Sequence, residues 1–196
     1  MTDTAGQLLW EPDDKFCASA GVTHLMTWLR EHRGLTFNSY DELWRWSVAD
    51  VEVFWRALWD YFEIDSPQPP GPVLGSADMP HATWFPGTEV SYTRRMLDAG
   101  PDDAIALHHY SEVRASGVVT RGELRRDVFR LARALLRAGV KPGDCVAAYM
   151  PNTPEAVVAM LAVTGVGAVW SSCSPDFGVG SALDRFKQIE PTVLIA

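Results

Sequence analysis

Cysteine is scarce in this chain of 196 residues: only Cys17, Cys145 and Cys173 occur, and they form neither a CxxC nor a ligand-spaced Cys/His set. An odd, scattered number excludes a disulfide framework and a structural zinc site, and fits a reducing, cytoplasmic setting. Positive charge is short as well. Seventeen lysines and arginines face 25 aspartates and glutamates, for a formal net charge of −8. No basic run reverses that balance, which speaks against nucleic acid or an anionic membrane surface as partner. Long apolar runs are also missing; the longest, Ala156–Val163, is too short to span a bilayer. The first residues, MTDTAGQLLWEPDD, are acidic and contain no apolar core, so no secretory leader is expected.

Absent motifs narrow the chemistry further. The chain has no G-x-G-x-x-G after a predicted strand, no G-x-x-x-x-G-K-[ST] phosphate loop, no G-x-S-x-G elbow and no H-E-x-x-H. His108 and His109 are neighbours, so on a strand they face opposite ways and cannot act as a pair. Cys173 has no activating base nearby in sequence and reads as a buried or pocket-lining thiol. From residue types alone, no catalytic residue and no metal ligand is assigned.

Tryptophan, by contrast, is abundant: eight in all, seven of them within the first 84 residues. Residues 1–18 read as a loosely held arm, anchored by Leu8, Leu9 and Trp10. Val22, Leu25, Met26 and Leu29 then recur at helical spacing, with Gly34 as the stop. Ser39-x-x-Glu42 is a capping box for a second helix, and Ser47-x-x-Asp50 a start for a third with Val51, Phe54, Trp55, Leu58 and Phe62 as a broad apolar stripe. This segment, residues 1–64, reads as a helical cap that packs on the main domain; an exposed face for a partner subunit is the other reading. Residues 66–90 hold six prolines and three glycines, which exclude a long helix or a central strand. They predict an extended connection, 65–103, pinned by Met79, Trp84 and Phe85 and ending in a short helix over Tyr92–Leu97.

From residue 104 the rhythm becomes strand and helix. Ala104–His109 and Val118–Thr120 read as strands. Thr120-x-x-Glu123 caps a helix with Leu124, Val128, Leu131, Leu135 and Leu136 on one face. Its arginines 125, 126, 130, 133 and 137 read as solvated. Cys145–Met150 is a continuous apolar strand, as expected where both faces are covered. Thr153, Pro154 and Glu155 form an N-cap, N1 and first-turn set for an apolar helix, followed by a strand at Ala168–Trp170. The exit Ser171–Gly178 (SSCSPDFG) is polar and turn-rich, where open α/β sheets place ligands; turn chemistry alone explains the same composition. A helix over Val179–Ile189 and a buried strand over Thr192–Ala196 complete an α/β class with a mostly parallel sheet and covering helices. The closing strand has no edge protection, which suggests the first part of a larger domain, 104–196.

GAVWSSCSPDFG followed by ALDRFKQIEPTVLIA closely resembles the acetoacetyl-CoA synthetases (acetoacetate–CoA ligases), within the adenylate-forming acyl-CoA synthetase superfamily. The resemblance runs back through GVKPGDCVAAYMPNTPEAVVAML, MPHATWFPG and SVADVEVFWRALWDYF, covering about residues 35–196. It implies a partial large N-terminal domain of an adenylate-forming enzyme, preceded by the Trp-rich segment. It also implies the reaction acetoacetate + ATP + CoA to acetoacetyl-CoA + AMP + diphosphate, through an acyl-adenylate. ATP, Mg2+ and CoA are then the full-length enzyme's cofactors and substrates, and Pro175, Asp176, Phe177 and Gly178 would line the CoA pantetheine path in a positioning role. The Ser/Thr/Gly-rich phosphate loop, the acyl, adenine and ribose motifs and the C-terminal adenylation Lys of such enzymes have no counterpart in residues 1–196. The isolated chain is therefore expected to lack activity. SYTRRML at 91–97 departs locally from the family's NYAEN-L. Two alternatives stand beside this one: a synthetase for acetate or propionate, and a non-catalytic binding or assembly module built from a synthetase half.

Overall fold

The computed structural model describes Gly6 and residues 8–196. Two compact units divide between Glu89 and Val90. Within the arm predicted over 1–18, residues 1–5 and 7 lie outside the described residues. Leu8, Leu9 and Trp10 do not anchor it: all three are largely exposed.

The first unit contains α1 (Asp14–Ser19), α2 (Gly21–Arg33), α3 (Tyr40–Ala49) and α4 (Val51–Tyr61). Gly34, at φ 68°, supplies the left-handed stop that ends α2. Ser39 caps α3, its hydroxyl accepting the Glu42 N–H at 3.2 Å. The return arm differs from a full box: the Glu42 carboxylate accepts the N–H of Asn38 at 2.7 Å. Ser47 opens no helix. It lies inside α3, donates to the Trp44 carbonyl, and leaves Asp50 as the N-cap of α4 without a side-chain bond. The core is small, with Leu29, Leu43 and Ala57 buried and Trp28, Phe37 and Trp46 packed against them. The stripe on α4 is thus only part-covered; Trp55 and Phe62 are exposed, and Ala57 is the residue the helix buries.

The Pro/Gly-rich stretch contains one short antiparallel ladder, β1 (Leu74–Ser76) with β2 (Thr83–Trp84). Aromatic contacts hold it to α4: Trp84 meets Trp55 at 5.6 Å and Phe85 meets Trp59 at 4.7 Å between ring centroids. Met79 pins nothing, at 83% exposed.

The second unit starts with α5 (Tyr92–Asp98), then a hairpin of β3 (Ile105–His109) and β4 (Gly117–Thr120). It continues through α6 (Arg121–Arg137), β5 (Cys145–Tyr149), α7 (Pro154–Gly165), β6 (Val169–Cys173), α8 (Val179–Ile189) and β7 (Val193–Ile195). The hairpin is antiparallel and separate. The parallel sheet has three strands, ordered β6-β5-β7. β5 is central, which explains its unbroken apolar run: Val146, Ala147 and Ala148 are fully buried. They join Leu97, Leu124, Val128, Leu135, Leu161 and Val163 in one core, with Trp170 of β6 half-buried at its side. β7 is only half-covered, Leu194 being exposed.

The Thr120–Glu123 box caps α6 with both arms made. Leu136 lies off the buried face and is exposed. Arg125 corrects the expectation of a solvated arginine row. Its guanidinium is drawn inward, at 22% exposure, and donates to the Leu97 carbonyl at the end of α5 and to Asp102. A cation there complements carbonyls that a helix end leaves unpaired. Arg121 reaches the adjacent Met96 carbonyl at 3.4 Å.

Candidate functional site

β5 and β6 run in parallel register from Cys145 opposite Val169 to Tyr149 opposite Cys173. The ladder therefore takes in Ser171, Ser172 and Cys173, which the sequence reading assigned to the exit loop. Backbone pairing, unlike core packing, is indifferent to the polarity of an outward side chain. Cys173 itself is buried. The true exit is short, Ser174–Gly178, and leaves from the carboxyl end of the sheet.

All four predicted site residues, Pro175, Asp176, Phe177 and Gly178, lie on this one turn. The turn is internally tied. The Phe177 N–H donates to the Ser174 carbonyl at 3.1 Å, and the Ser174 hydroxyl donates to the Asp176 carboxylate at 2.7 Å. Two outside groups grip it. The Tyr149 hydroxyl lies 2.9 Å from the Pro175 carbonyl and 2.8 Å from that of Phe177, so one proton serves two acceptors. From α8, the Arg185 guanidinium sits over the Phe177 ring, 4.5 Å from its centroid. Gly178 caps α8 with φ −57°, a conformation open to any residue, and a Cβ there would meet nothing within 4 Å. Neither strain nor internal packing calls for glycine at 178. Its bare backbone faces open space, as a site for close ligand approach would.

Tyr149 is the member that sequence reasoning missed. Its only signal was its place as the last residue of an apolar strand, and the contacts it makes are 26 and 28 residues away.

The same carboxyl end of β5 leads into Pro151 and Asn152 and then α7. A cleft of about 470 Å³ opens there, lined by His109, Tyr110, Arg114, Asn152 and Glu155 among others. An adjoining cavity of about 240 Å³ brings His108 and His109 to its wall. Thr153, the expected cap of α7, makes no side-chain bond to the helix backbone. The nearby Thr153 hydroxyl, the N–H of Glu155 itself and then Arg114, 3.0 Å away, hold the Glu155 pKa below its ordinary value. Glu123 is held low likewise, first by the Thr120 backbone N–H and then by the Thr120 hydroxyl.

No nucleophile–base pair is assembled in the turn, so what it can do is shape and position. Among the described residues no three His, Cys, Asp or Glu side chains come together in a way that could hold a metal ion. Among them, too, no helix is long and apolar enough to cross a membrane.

A profile of the "AMP-binding enzyme" family matches residues 94–196, and one of the "Acetyl-coenzyme A synthetase N-terminus" matches residues 40–95. The acetoacetyl-CoA synthetase of Macaca fascicularis is 39% identical over 97% of this chain and 28% of its own length. That of Rhizobium meliloti is 37% identical over 95% of this chain and 29% of its own. Among solved structures, an acetoacetyl-CoA synthetase from Streptomyces lividans superposes with a TM-score of 0.90 at 45% identity, over 96% of this chain and 30% of that one. The chain thus spans under a third of the length of the relatives it matches. With more than half of its residues under the one profile, and the fold to go with them, the chain belongs to the AMP-binding enzyme family.

Proposed function

We propose that this chain is the N-terminal portion of an ATP-dependent acetoacetate–CoA ligase, and that its Ser174–Gly178 turn forms one wall of the CoA side of the acyl-adenylate site. The overall reaction is acetoacetate + ATP + CoA to acetoacetyl-CoA + AMP + diphosphate. The observation that carries the reading is the likeness to the Streptomyces lividans acetoacetyl-CoA synthetase over 96% of this chain. The turn supports it locally, because its tied backbone, the ring of Phe177 at 39% exposure and the open face of Gly178 suit an extended, amide-bearing arm such as pantetheine. Pro175, Asp176, Phe177 and Gly178 hold that arm; they transfer no proton.

CoA would supply the thiol that takes the acyl group, and this chain's part is to orient it. ATP and Mg2+ fit less well here. The described residues offer no carboxylate cluster for the ion, and the sequence has no phosphate loop, so adenylation falls to groups outside residues 1–196. The chain is a cytoplasmic component in this reading. The match of residues 40–95 to an acetyl-CoA synthetase profile favours a second reading, with acetate or propionate as the acyl donor.

Two assays test the proposal. The purified chain alone, given acetoacetate, ATP, Mg2+ and CoA, forms no acetoacetyl-CoA; turnover would refute the division of labour. Exchanged for the matching portion of the Streptomyces lividans enzyme, it supports acetoacetate-dependent turnover in preference to acetate and propionate. A chimera that folds but prefers acetate would establish the second reading instead.

A further inference from the structure

The geometry points to Tyr149 as a positioning residue that holds the Ser174–Gly178 turn in its ligand-ready shape through a single phenolic hydroxyl. The inference rests on the reading of that turn as a CoA wall. Carbonyls two residues apart point the same way in a strand, but not to one point. Those of Pro175 and Phe177 converge within 2.9 and 2.8 Å of the same oxygen, which requires the chain between them to curl around it. Pro175 has no N–H to offer an alternative internal bond. The curl is closed on its far side by the Phe177 N–H to the Ser174 carbonyl.

The hydroxyl is carried by a stiff support. Tyr149 ends β5, the central strand, whose three preceding residues are fully buried and which is paired on both sides. A binding group is best fixed from a rigid element. Arg185 fixes the opposite part of the turn by stacking on the Phe177 ring, so backbone and side chain are held from two different elements. Since the phenolic proton is already shared by two carbonyls, Tyr149 is no acid toward a substrate.

Loss of the hydroxyl should be nearly silent in global stability. Pro175 and Phe177 are exposed, and water can reach both carbonyls once the phenol withdraws. The effect should therefore appear as lost order and weaker ligand binding, which a merely packed tyrosine would not show.

Tyr149→Phe in the 196-residue chain keeps the ring and removes only the donor. Amide exchange followed by NMR is expected to quicken at Phe177 by about fivefold, the worth of one hydrogen bond. The amides of Val146 and Ala148 are expected to stay unchanged. CoA and pantetheine, titrated by calorimetry into the Streptomyces lividans chimera carrying the same substitution, should bind more weakly by a similar factor. Unchanged exchange at Phe177 overturns the inference, and so does faster exchange with undiminished CoA affinity. Should the unaltered chimera bind no CoA even at millimolar concentration, the reading of the wall fails. The positioning role toward CoA fails with it, and the exchange rates alone then decide whether the hydroxyl shapes the turn.

Discussion

Thr93 offers the sharpest test of how the second unit is held together. It is the one polar side chain buried there among the described residues, at 6% exposure. Its hydroxyl lies 2.9 Å from the Leu161 carbonyl and 2.8 Å from the Thr164 hydroxyl, which itself donates to the Met160 carbonyl at 2.8 Å. Two hydroxyl protons thus serve three contacts, and Thr93→Val removes one proton without opening a cavity. The expected cost is about 1 kcal/mol, the net worth of one hydrogen bond. The methyl group has its own role. A Cβ built on Gly165 would stand 3.1 Å from Thr93 Cγ2, so this methyl packs against the bare end of α7. Thr93→Ser, which keeps the hydroxyl and loses the methyl, should cost about 1 kcal/mol by analogy with other single-methyl deletions in a core. Thr93→Ala loses both and should cost about 2 kcal/mol. Urea unfolding with an unchanged m-value reads these differences, and each kcal/mol should lower Tm by roughly 4 °C. A valine variant as stable as the natural chain would refute the hydrogen-bond account. An alanine variant no worse than valine would refute the packing account.

Three further outcomes follow from other sites. In an NMR titration, Thr153→Val raises the Glu155 pKa toward its ordinary value more than Arg114→Gln does, because the Thr153 hydroxyl is the larger cause of its depression. Since the folded pKa is the lower one, the stability tied to Glu155 is present above pH 4.5 and is lost as pH falls through the folded value. Thr120→Ala removes the hydroxyl arm of the α6 capping box and should lower unfolding stability by about 1 kcal/mol; no loss would mean the box is ornamental. Under native conditions a thiol reagent modifies Cys17 first and Cys173 last, following their exposure, with all three reacting once urea unfolds the chain.

How much of this was legible in the sequence depends on the range of the interaction. Local chemistry read well. Gly34 ends α2, Thr120 and Glu123 start α6, and Pro154 stands at the start of α7, because each is decided within one helical turn. Ser47-x-x-Asp50 misled because the same short polar residues bond backwards inside a helix as readily as they cap one, and Ser47 found the Trp44 carbonyl. β6 was drawn too short because Ser171 and Ser172 carry no strand-like apolar signal; their pairing comes from β5. Arg125 looked solvated because its partners are the Leu97 carbonyl at the end of α5 and the Asp102 carboxylate, which the fold alone brings to it. Residues 175–178 were singled out by the resemblance to the acetoacetyl-CoA synthetases, whereas the hydroxyl that bonds this turn lies a whole helix and strand earlier.

The distribution of tryptophan has an optical consequence. Seven of the eight precede residue 85, and Trp170 on β6, half-buried opposite Val146, is alone in the second unit. Indole emission from the whole chain is therefore dominated by the first unit, and unfolding of the second would pass almost unnoticed in a bulk fluorescence trace. Subtracting the spectrum of a Trp170→Phe variant leaves one indole, three residues ahead of Cys173 and on the strand that neighbours Tyr149. The fold thus carries a native probe beside its candidate site, drowned by seven others until they are subtracted.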